Sequence, residues 1–326
     1  MIVPSIKPQP VNIIRADAIN PKVVDWLWYP YMPFGKITLI QGDPGDGKST
    51  FALTLAALLT RGHPLPFTDT PSVPINIIYQ NTEDDAADTV VPRFVQAGGD
   101  LQRLCFINET DKALTFADER IHKAITQENA RLLILDPLSS YIGSEVSLNQ
   151  ANDVRHAFNN LIRVAKDTGC AIVIVGHLNK MPGVKAIYRT LGSIDVIGAV
   201  RSALLIARTD SGNPNERIMV VQKSNLAPSG KAIIFRIDEK IEWVGQTDKT
   251  ADEVLGNVNP ENRSDTKLQT ARTLITTLLS AGERSAQDVY DHLKAAGISQ
   301  RTAENAKREL GIKVFRQGNT WYWSLT

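Results

Sequence analysis

The sequence has few of the features that mark secreted, membrane-spanning or uniformly polyanion-binding proteins. Only two cysteines occur in 326 residues, so we expect no disulfide framework and a reducing, cytoplasmic location. No apolar run approaches the roughly 18 residues that a membrane helix needs, and the first residues lack the pattern of a secretory signal. The net charge is only +1, which leaves any nucleic-acid contact to a local surface.

The composition is that of a globular protein, with 43% hydrophobic and 22% charged residues. The length suits one large domain and one small one. We expect an N-terminal extension over residues 1–30, an α/β core over 31–245, a polar linker over 246–263 and a small unit over 264–326. The aromatic stretch Trp26–Tyr31 either covers an edge of the core or walls a base pocket, and the first interpretation is favoured because aromatic rings dominate cores generally.

From Lys36 onward, short apolar runs alternate with helical patterns. The predicted strands are Ile37–Gln41, Ile75–Gln80, Leu104–Ile107, Leu132–Leu135, Ala171–Val175, Ala203–Ile206, Arg217–Val221 and Ala232–Ile237. The predicted helices are Ser49–Thr60, Asp85–Ala97, Asp118–Asn129 and Asn149–Thr168. This alternation predicts a mostly parallel sheet covered by helices on both faces. The last three strands lack long helices between them, so that end of the sheet should be antiparallel.

A complete phosphate-binding P-loop follows the first strong strand and precedes a helix. It consists of Gly42, Asp43, Pro44, Gly45, Asp46, Gly47, Lys48, Ser49 and Thr50. The glycines allow backbone N–H groups to point at phosphate oxygens, beside the positive end of the helix. Lys48 is expected to contact the β- and γ-phosphates, and the Ser49 hydroxyl to ligate Mg²⁺. The chain should therefore bind and hydrolyse a nucleoside triphosphate.

Two carboxylates complete the predicted catalytic site. The apolar strand before Asp136 gives the Walker B pattern, with Asp136 holding the magnesium shell. No glutamate follows Asp136 directly, and Glu83 at the end of the second strand is the candidate that activates water. Asp84 and Asp85 lie beside it, and the alternative interpretation is that these acidic residues only cap the next helix. His177 ends a further strand, where it could sense the γ-phosphate or serve only a structural role.

These motifs resemble the RecA-fold branch of P-loop ATPases, especially the hexameric ATPases and helicases of plasmids, phages and integrated elements. The resemblance covers residues 26–245. Beyond the P-loop it rests on Thr82–Asp84, Leu135–Pro137, Gly176–Lys180, Tyr188–Ser193 and Lys223–Pro228. It implies a RecA-like fold, ATP as the nucleotide, Glu83 as the water-activating residue and coupling of nucleotide state to DNA through His177.

The resemblance also implies a hexameric ring of subunits, with active sites shared between neighbours. Arg189 and Lys223 are the positions from which a neighbour would supply positive charge, and Arg201 is a weaker candidate. Bacterial replicative helicases carry Lys-x-Arg at the last motif, whereas this chain has Lys223-Ser224-Asn225. Either Lys223 acts alone or Arg189 is the main finger. The basic loop 179–188 either lines a central channel for single-stranded DNA or is an ordinary solvated loop.

The C-terminal unit, 264–326, has the pattern of three helices and a hairpin, which predicts a winged helix-turn-helix. The helices are Thr266–Leu279, Ala286–Ala295 and Gln300–Leu310, and the hairpin strands are Ile312–Arg316 and Thr320–Leu325. Such units bind duplex DNA or dock proteins, and exposed basic residues on the third helix favour DNA. Trp321 and Trp323 share a strand face and are expected in the core.

Three functions follow from these motifs. The leading hypothesis is a ring-forming, DNA-translocating ATPase of the replicative helicase type. The alternative is a RecA-fold recombinase or regulatory ATPase that remodels protein or DNA complexes without unwinding. A third reading, a DNA-binding regulator that uses ATP only as a switch, is disfavoured by Glu83, since a switch has little need of a residue that activates water.

Overall fold

A computed structural model describes residues 13–71, 73–143, 151–178, 194–255, 263–280 and 282–325. Its largest element is a nine-stranded sheet in the order β11-β10-β9-β8-β3-β7-β6-β4-β5. The strands are β3 (Ile37–Gly42), β4 (Asn76–Asn81), β5 (Leu104–Cys105), β6 (Ala130–Asp136), β7 (Ala171–His177), β8 (Ser202–Arg208), β9 (Glu216–Ser224), β10 (Ala232–Ile237) and β11 (Ile241–Thr247). A short hairpin of β1 (Trp26–Trp28) and β2 (Met32–Pro33) precedes this sheet.

Helices cover both faces of the parallel part of the sheet. They are α1 (Lys48–Arg61), α2 (Val91–Gln96), α3 (Glu119–Gln127), α4 (Leu138–Tyr141), α5 (Ala151–Thr168) and α6 (Ile194–Ala199). Because side chains alternate along a strand, each buried strand contributes to two cores. In β6, Leu132 and Ile134 pack with α1, whereas Leu133 and Leu135 pack with α5. The next residue on the α1 face is Asp136, at the carboxyl end of the strand.

The α/β fold with a mostly parallel sheet is confirmed. Strands β8, β3, β7, β6, β4 and β5 pair in parallel, and β9, β10 and β11 extend the sheet antiparallel from β8. The sequence did not predict β11, and the linker predicted from residue 246 begins inside it. β11 is an edge strand whose residues alternate between exposed and half-buried, so it lacks the continuous apolar run that identifies the central strands.

The helix predicted over Asp85–Ala97 is divided in two. A π-helical turn over Ala86–Val90 precedes α2, and the Val91 N–H donates to the Ala86 carbonyl, five residues back. Pro92 has no N–H, so the regular i→i−4 pattern cannot be continuous here. Asp85 accepts the N–H groups of Ala87 and Asp88 at 2.7 and 3.2 Å. It therefore caps this segment, as the alternative reading expected.

The aromatic stretch before the P-loop belongs to the core. Trp28 and Tyr31 are buried and their rings lie 4.5 Å apart, while Phe51 of α1 lies 6.3 Å from Trp28. The Tyr31 hydroxyl donates to the Lys231 carbonyl at 2.8 Å. Tyr29 remains exposed and makes an edge contact with Trp26. The favoured interpretation, that these rings cover an edge of the core, agrees with the contacts of Trp28 and Tyr31.

After β11, the short helix α7 (Ala251–Val254) begins at a Thr250–Glu253 capping box. The C-terminal unit then contains α8 (Arg263–Leu279), α9 (Ala286–Ala295) and α10 (Gln300–Glu309). Its three-stranded sheet joins β12 (Arg284–Ser285), β14 (Thr320–Ser324) and β13 (Lys313–Gln317), in that order. Three helices and a hairpin are thus present, and β12 is an additional strand. The assignment as a winged helix-turn-helix stays a prediction.

The expectation for the two tryptophans of β14 was half wrong. Trp323 is 1% exposed and packs against Tyr290, but Trp321 is 53% exposed. Both residues lie on one face of β14, but Trp321 is the second residue of the strand, next to the hairpin turn. There it contacts the Arg316 guanidinium, 6.0 Å from the ring centre. Among the residues that the structure describes, no helix has the length and hydropathy to cross a membrane.

Candidate nucleotide site

The carboxyl ends of four adjacent parallel strands meet at one edge of the sheet. In the strand register, Gly42 lies opposite His177, and Asn81 lies opposite Asp136. Backbone hydrogen bonds continue beyond the strands, from Leu178 N to Gly42 O at 3.2 Å and from Thr82 N to Asp136 O at 3.3 Å. Ligand sites in open α/β sheets form at such an edge. The predicted P-loop, Walker B and Glu83 segments are therefore brought together.

The P-loop joins β3 to α1 and depends on glycine at two positions. Gly47 has φ +85°, and a Cβ there would collide with Ile237 of β10. A Cβ on Gly42 would collide with the Ile206 carbonyl oxygen of β8. Glycine lets the loop lie directly on these neighbouring strands. The residue before α1 is Gly47, which has no side chain that could cap the helix, and N–H groups at a helix start suit phosphate oxygens.

Lys48 lies in the centre of the site and is 4% exposed. Its Nζ donates to the Asp43 carbonyl oxygen at 2.9 Å. Burial lowers the pKa of Lys48, and the charges of Asp46, Asp136, Asp43 and Glu83 act in the opposite direction. A partly desolvated ammonium interacts strongly with an incoming phosphate, because water screens the attraction weakly there. The arrangement fits a triphosphate on the loop.

Asp136 is buried at the end of β6 and is positioned by two hydroxyl groups. The Tyr79 hydroxyl donates to Asp136 Oδ2 at 3.0 Å, and Ser49 also hydrogen-bonds the carboxyl. Burial raises the pKa of Asp136, while the bonds from Ser49 and Tyr79 lower it. Ser49 and Asp136 are the two residues predicted to bind Mg²⁺, and Ser49 is close enough to Asp136 to lower its pKa. Their oxygen donors fit this hard cation.

Tyr79 was not identified from the sequence. Burial raises its pKa well above the ordinary value, and the Asp136 charge raises it further, so its hydroxyl remains protonated and donates. One signal could have found it. A tyrosine in an apolar strand needs a partner for its hydroxyl, and Tyr79 lies two residues before the strand end on the α1 face. Asp136, which ends the adjacent strand β6, is an acceptor within reach of the Tyr79 hydroxyl.

Replacing Tyr79 by Phe should raise the Mg²⁺ concentration needed for half-maximal ATP hydrolysis by about tenfold, because partners of metal ligands contribute to metal affinity on that scale. The fold should be retained, since only the hydroxyl is removed. Tyr31→Phe is the matched control, because its hydroxyl contacts the Lys231 carbonyl instead of the site. An unchanged Mg²⁺ dependence in Tyr79→Phe would exclude this positioning role.

Glu83 follows β4 in a turn organised by Asn81. The Asn81 side-chain oxygen accepts the N–H groups of Glu83 and Asp84, both at 2.7 Å. Glu83 is more than half exposed, and its Oε1 lies 3.8 Å from His177 Nε2. The charge of Glu83 also acts on Lys48 and Asp136. Thus Glu83, His177, Lys48 and Asp136 form one cluster, although the catalytic role of each residue stays a prediction.

The neighbouring acidic residues have other partners. Asp84 forms an ion pair with Arg93 at 3.0 Å, and Asp85 caps the π-helical turn. Next to them, the Thr82 hydroxyl donates to the Ser140 hydroxyl at 2.7 Å, which links the turn to α4. Glu83 is therefore the acidic side chain of this turn that faces the other site residues.

Of the residues predicted to act across a subunit boundary, Lys223 and Arg201 lie in the described part of the chain and Arg189 does not. Arg189 and the loop 179–188 fall within residues 179–193, outside the described part of the chain. Lys223 donates to the carbonyls of Ile197, Gly198 and Val200 at 2.5, 3.2 and 2.9 Å. It thereby caps the carboxyl end of α6, and burial lowers its pKa. Arg201 is exposed.

Comparison with known proteins identifies the family. Residues 3–183 match the AAA_25 model, described as an AAA domain. The DNA repair protein RadA of Halalkalibacterium halodurans is 29% identical over 182 residues, which cover 53% of this chain and 36% of RadA. RadA of Bacillus subtilis is 28% identical over 148 residues, covering 45% of this chain and 28% of that protein. The chain thus spans about a third of the length of these curated relatives.

Two solved structures are similar to part of the chain. A KaiC-like protein of Pyrococcus horikoshii superposes with a TM-score of 0.49 at 15% identity, covering 66% of this chain and 91% of that one. The RadB recombinase superposes with a TM-score of 0.47 at 18% identity, covering 66% and 93%.

The family match includes the P-loop, Glu83, Asp136 and His177. ATP and Mg²⁺, the ligands predicted from the sequence, are those used by RecA-like ATPases of this kind. The P-loop, the paired Ser49 and Asp136, and the parallel sheet that carries them agree with this match. The chain belongs to the AAA_25 family of AAA domains, and its P-loop lies in an α/β fold whose sheet is mostly parallel.

Proposed function

We propose that this protein hydrolyses ATP to remodel DNA or protein–DNA complexes, in the manner of a recombinase or regulatory ATPase. The observation that carries the proposal is the position of Glu83 at the strand ends, beside Lys48, Asp136 and His177. A carboxylate there can accept a proton from, or orient, the attacking water. Lys48 and the start of α1 bind the phosphates, and Asp136 with Ser49 holds the cation, which neutralises charge on the phosphate oxygens.

DNA is proposed as the partner on three grounds. The relatives are named as DNA repair proteins, the loop 179–188 is basic, and the C-terminal unit has the element order of a winged helix. In that unit, α10 exposes Arg301 and Arg308, side chains suited to phosphate contacts. Duplex DNA at α10 and single-stranded DNA at the loop are separate parts of this proposal.

A ring-forming replicative helicase is the second candidate, and its support is the order of motifs that resembles the hexameric ATPases of mobile elements. A shared active site would place Arg189 or Lys223 against a neighbour's phosphates. Lys223 would then have to exchange its three carbonyl partners on α6 for a phosphate. This makes Arg189 the preferred finger of the two. The cytoplasmic location, the DNA channel and the hexamer belong to the same proposal.

The decisive experiment measures ATP hydrolysis with and without single-stranded DNA, alongside particle size in Mg·ATP. We expect DNA to stimulate hydrolysis by about tenfold or more, because ordering of a partner-dependent site commonly changes an equilibrium by 1–3 kcal/mol. Duplex unwinding is measured in parallel. Stimulation without unwinding supports the remodelling ATPase, and unwinding by a closed ring supports the helicase. Hydrolysis that DNA leaves unchanged would contradict both.

A further inference from the structure

The P-loop contains a buried carboxylate that the proposed mechanism does not use. Asp46 is 5% exposed, and its Oδ2 accepts the N–H of Asp43 at 3.0 Å. This bond closes the turn that precedes Gly47 and Lys48. However, a negative charge inside a loop that receives phosphate opposes binding, because like charges repel strongly where water is excluded. The charge of Asp46 therefore requires a local counter-charge.

Two arginines on the antiparallel side of the loop supply positive charge. Arg208 ends β8, and its Nε lies 3.5 Å from Asp46 Oδ1. Arg217 lies opposite Arg208 in the β8–β9 register and is buried, with its Nη1 donating to the carbonyls of Pro214 and Glu216 at 2.6 and 3.0 Å. Arg208 is the arginine in direct contact with the carboxylate, and its Nη2 lies 3.9 Å from where a Cβ on Gly45 would be.

The charge of Asp46 also acts on Lys48. Among the carboxylates that raise the pKa of Lys48, Asp46 contributes most, ahead of Asp136. Burial raises the pKa of Asp46, and the charges of Lys48 and Arg217 lower it. Asp46 thus attracts the same ammonium that the phosphates need. A second cation that contacts the Asp46 carboxylate, as Arg208 does, weakens the attraction of Asp46 for Lys48.

We propose that Arg208 is a positioning residue of the nucleotide site, which neutralises Asp46 so that Lys48 and the loop remain free to bind phosphate. The inference rests on the proposed binding of ATP by this loop. Exposed ion pairs contribute little to stability, and 59% of the Arg208 side chain is exposed. Its partner, however, is buried, and removing Arg208 leaves Asp46 with the charges of Lys48 and Arg217. The attraction of Asp46 for Lys48 then increases, which weakens phosphate binding.

The test is a double-substitution cycle, read as the affinity for a non-hydrolysable Mg·ATP analogue. Arg208→Ala should weaken binding by about tenfold at ~0.1 M salt, where the Debye length is about 10 Å and the charge is only partly screened. Asp46→Asn keeps an acceptor for the Asp43 N–H but removes the charge. In the Asp46→Asn background, Arg208→Ala should therefore change the affinity by less than about twofold.

Arg236→Ala is the matched control, since Arg236 pairs with Glu216 and Glu242 one strand farther from the loop. It should leave the affinity unchanged. The effect of Arg208→Ala should also shrink as salt is raised, which a loss of packing would not do. Equal effects of Arg208→Ala in both backgrounds, or no effect in either, would overturn the inference. An unsubstituted protein that binds no nucleotide would instead overturn the proposed function.

Discussion

Glu83→Gln is expected to lower the rate of ATP hydrolysis by about 10²–10⁴-fold, the range that general acid–base residues contribute. Glutamine has nearly the same shape but cannot accept a proton from water. The substituted side chain can retain its contact with His177, 3.8 Å away, so the turn should not rearrange. Nucleotide affinity should stay within a few-fold of the original, because Lys48 and the loop are unaffected.

The measurement pairs phosphate release with equilibrium binding of Mg·ATP. Asp84→Asn is the matched control, since Asp84 is the adjacent carboxylate but forms an ion pair with Arg93 at 3.0 Å. It should retain hydrolysis. If Glu83→Gln hydrolyses ATP at the original rate, Glu83 has no part in activating water, and another group at this edge must do so.

Asp136→Asn should have two opposite effects. Hydrolysis should fall by at least about 10²-fold, because the substitution removes a charge that holds the catalytic cation. The metal-free protein should become more stable, by an amount on the order of 1 kcal/mol, since active-site groups commonly reduce stability. The physical reason is that Asp136 is 2% exposed and burial raises its pKa. Its ionised form is therefore unfavourable in the folded protein.

The pH dependence checks the cause of this stabilisation. A carboxyl whose folded pKa is raised reduces stability above that pKa, and the cost disappears as the pH falls below the unfolded pKa. The gain from Asp136→Asn should be present near pH 7 and vanish toward roughly pH 4. Thermal unfolding at pH 7 and at about pH 4, with a chelator present, measures the gain in stability and its loss at low pH. A substituted protein that is less stable at neutral pH would show that the bonds from Tyr79 and Ser49 outweigh burial.

The sequence was sufficient to predict those residues of the site that come directly after a strand. Each parallel strand ends at the same edge, so the positions of Gly42, Glu83, Asp136 and His177 after apolar runs were enough to expect them together. Alternation along β6 also places Asp136 on the face of α1. These inferences need only local patterns and the geometry of a parallel sheet.

Contacts between distant segments could not be predicted in this way. The bond from Tyr79 to Asp136 depends on the register of two strands, and the contact of Arg208 with Asp46 depends on how far β8 extends beyond the loop. Lys223 was expected to act on a neighbour, yet its ammonium bonds the end of α6. A sequence gives the charge of such side chains but not the acceptors that the fold places within their reach.

The exposure of Trp321 has an optical consequence. The chain has five tryptophans, and Trp28 and Trp323 are each 1% exposed, whereas Trp321 is 53% exposed beside Arg316. A dissolved collisional quencher reaches an indole in water far more readily than one in a packed core. Trp26 and Trp243 are half-buried, so Trp321, in the C-terminal hairpin, is the most readily quenched of the five. Trp321 can therefore report on any ligand that covers this hairpin, because a covered ring is shielded from the quencher.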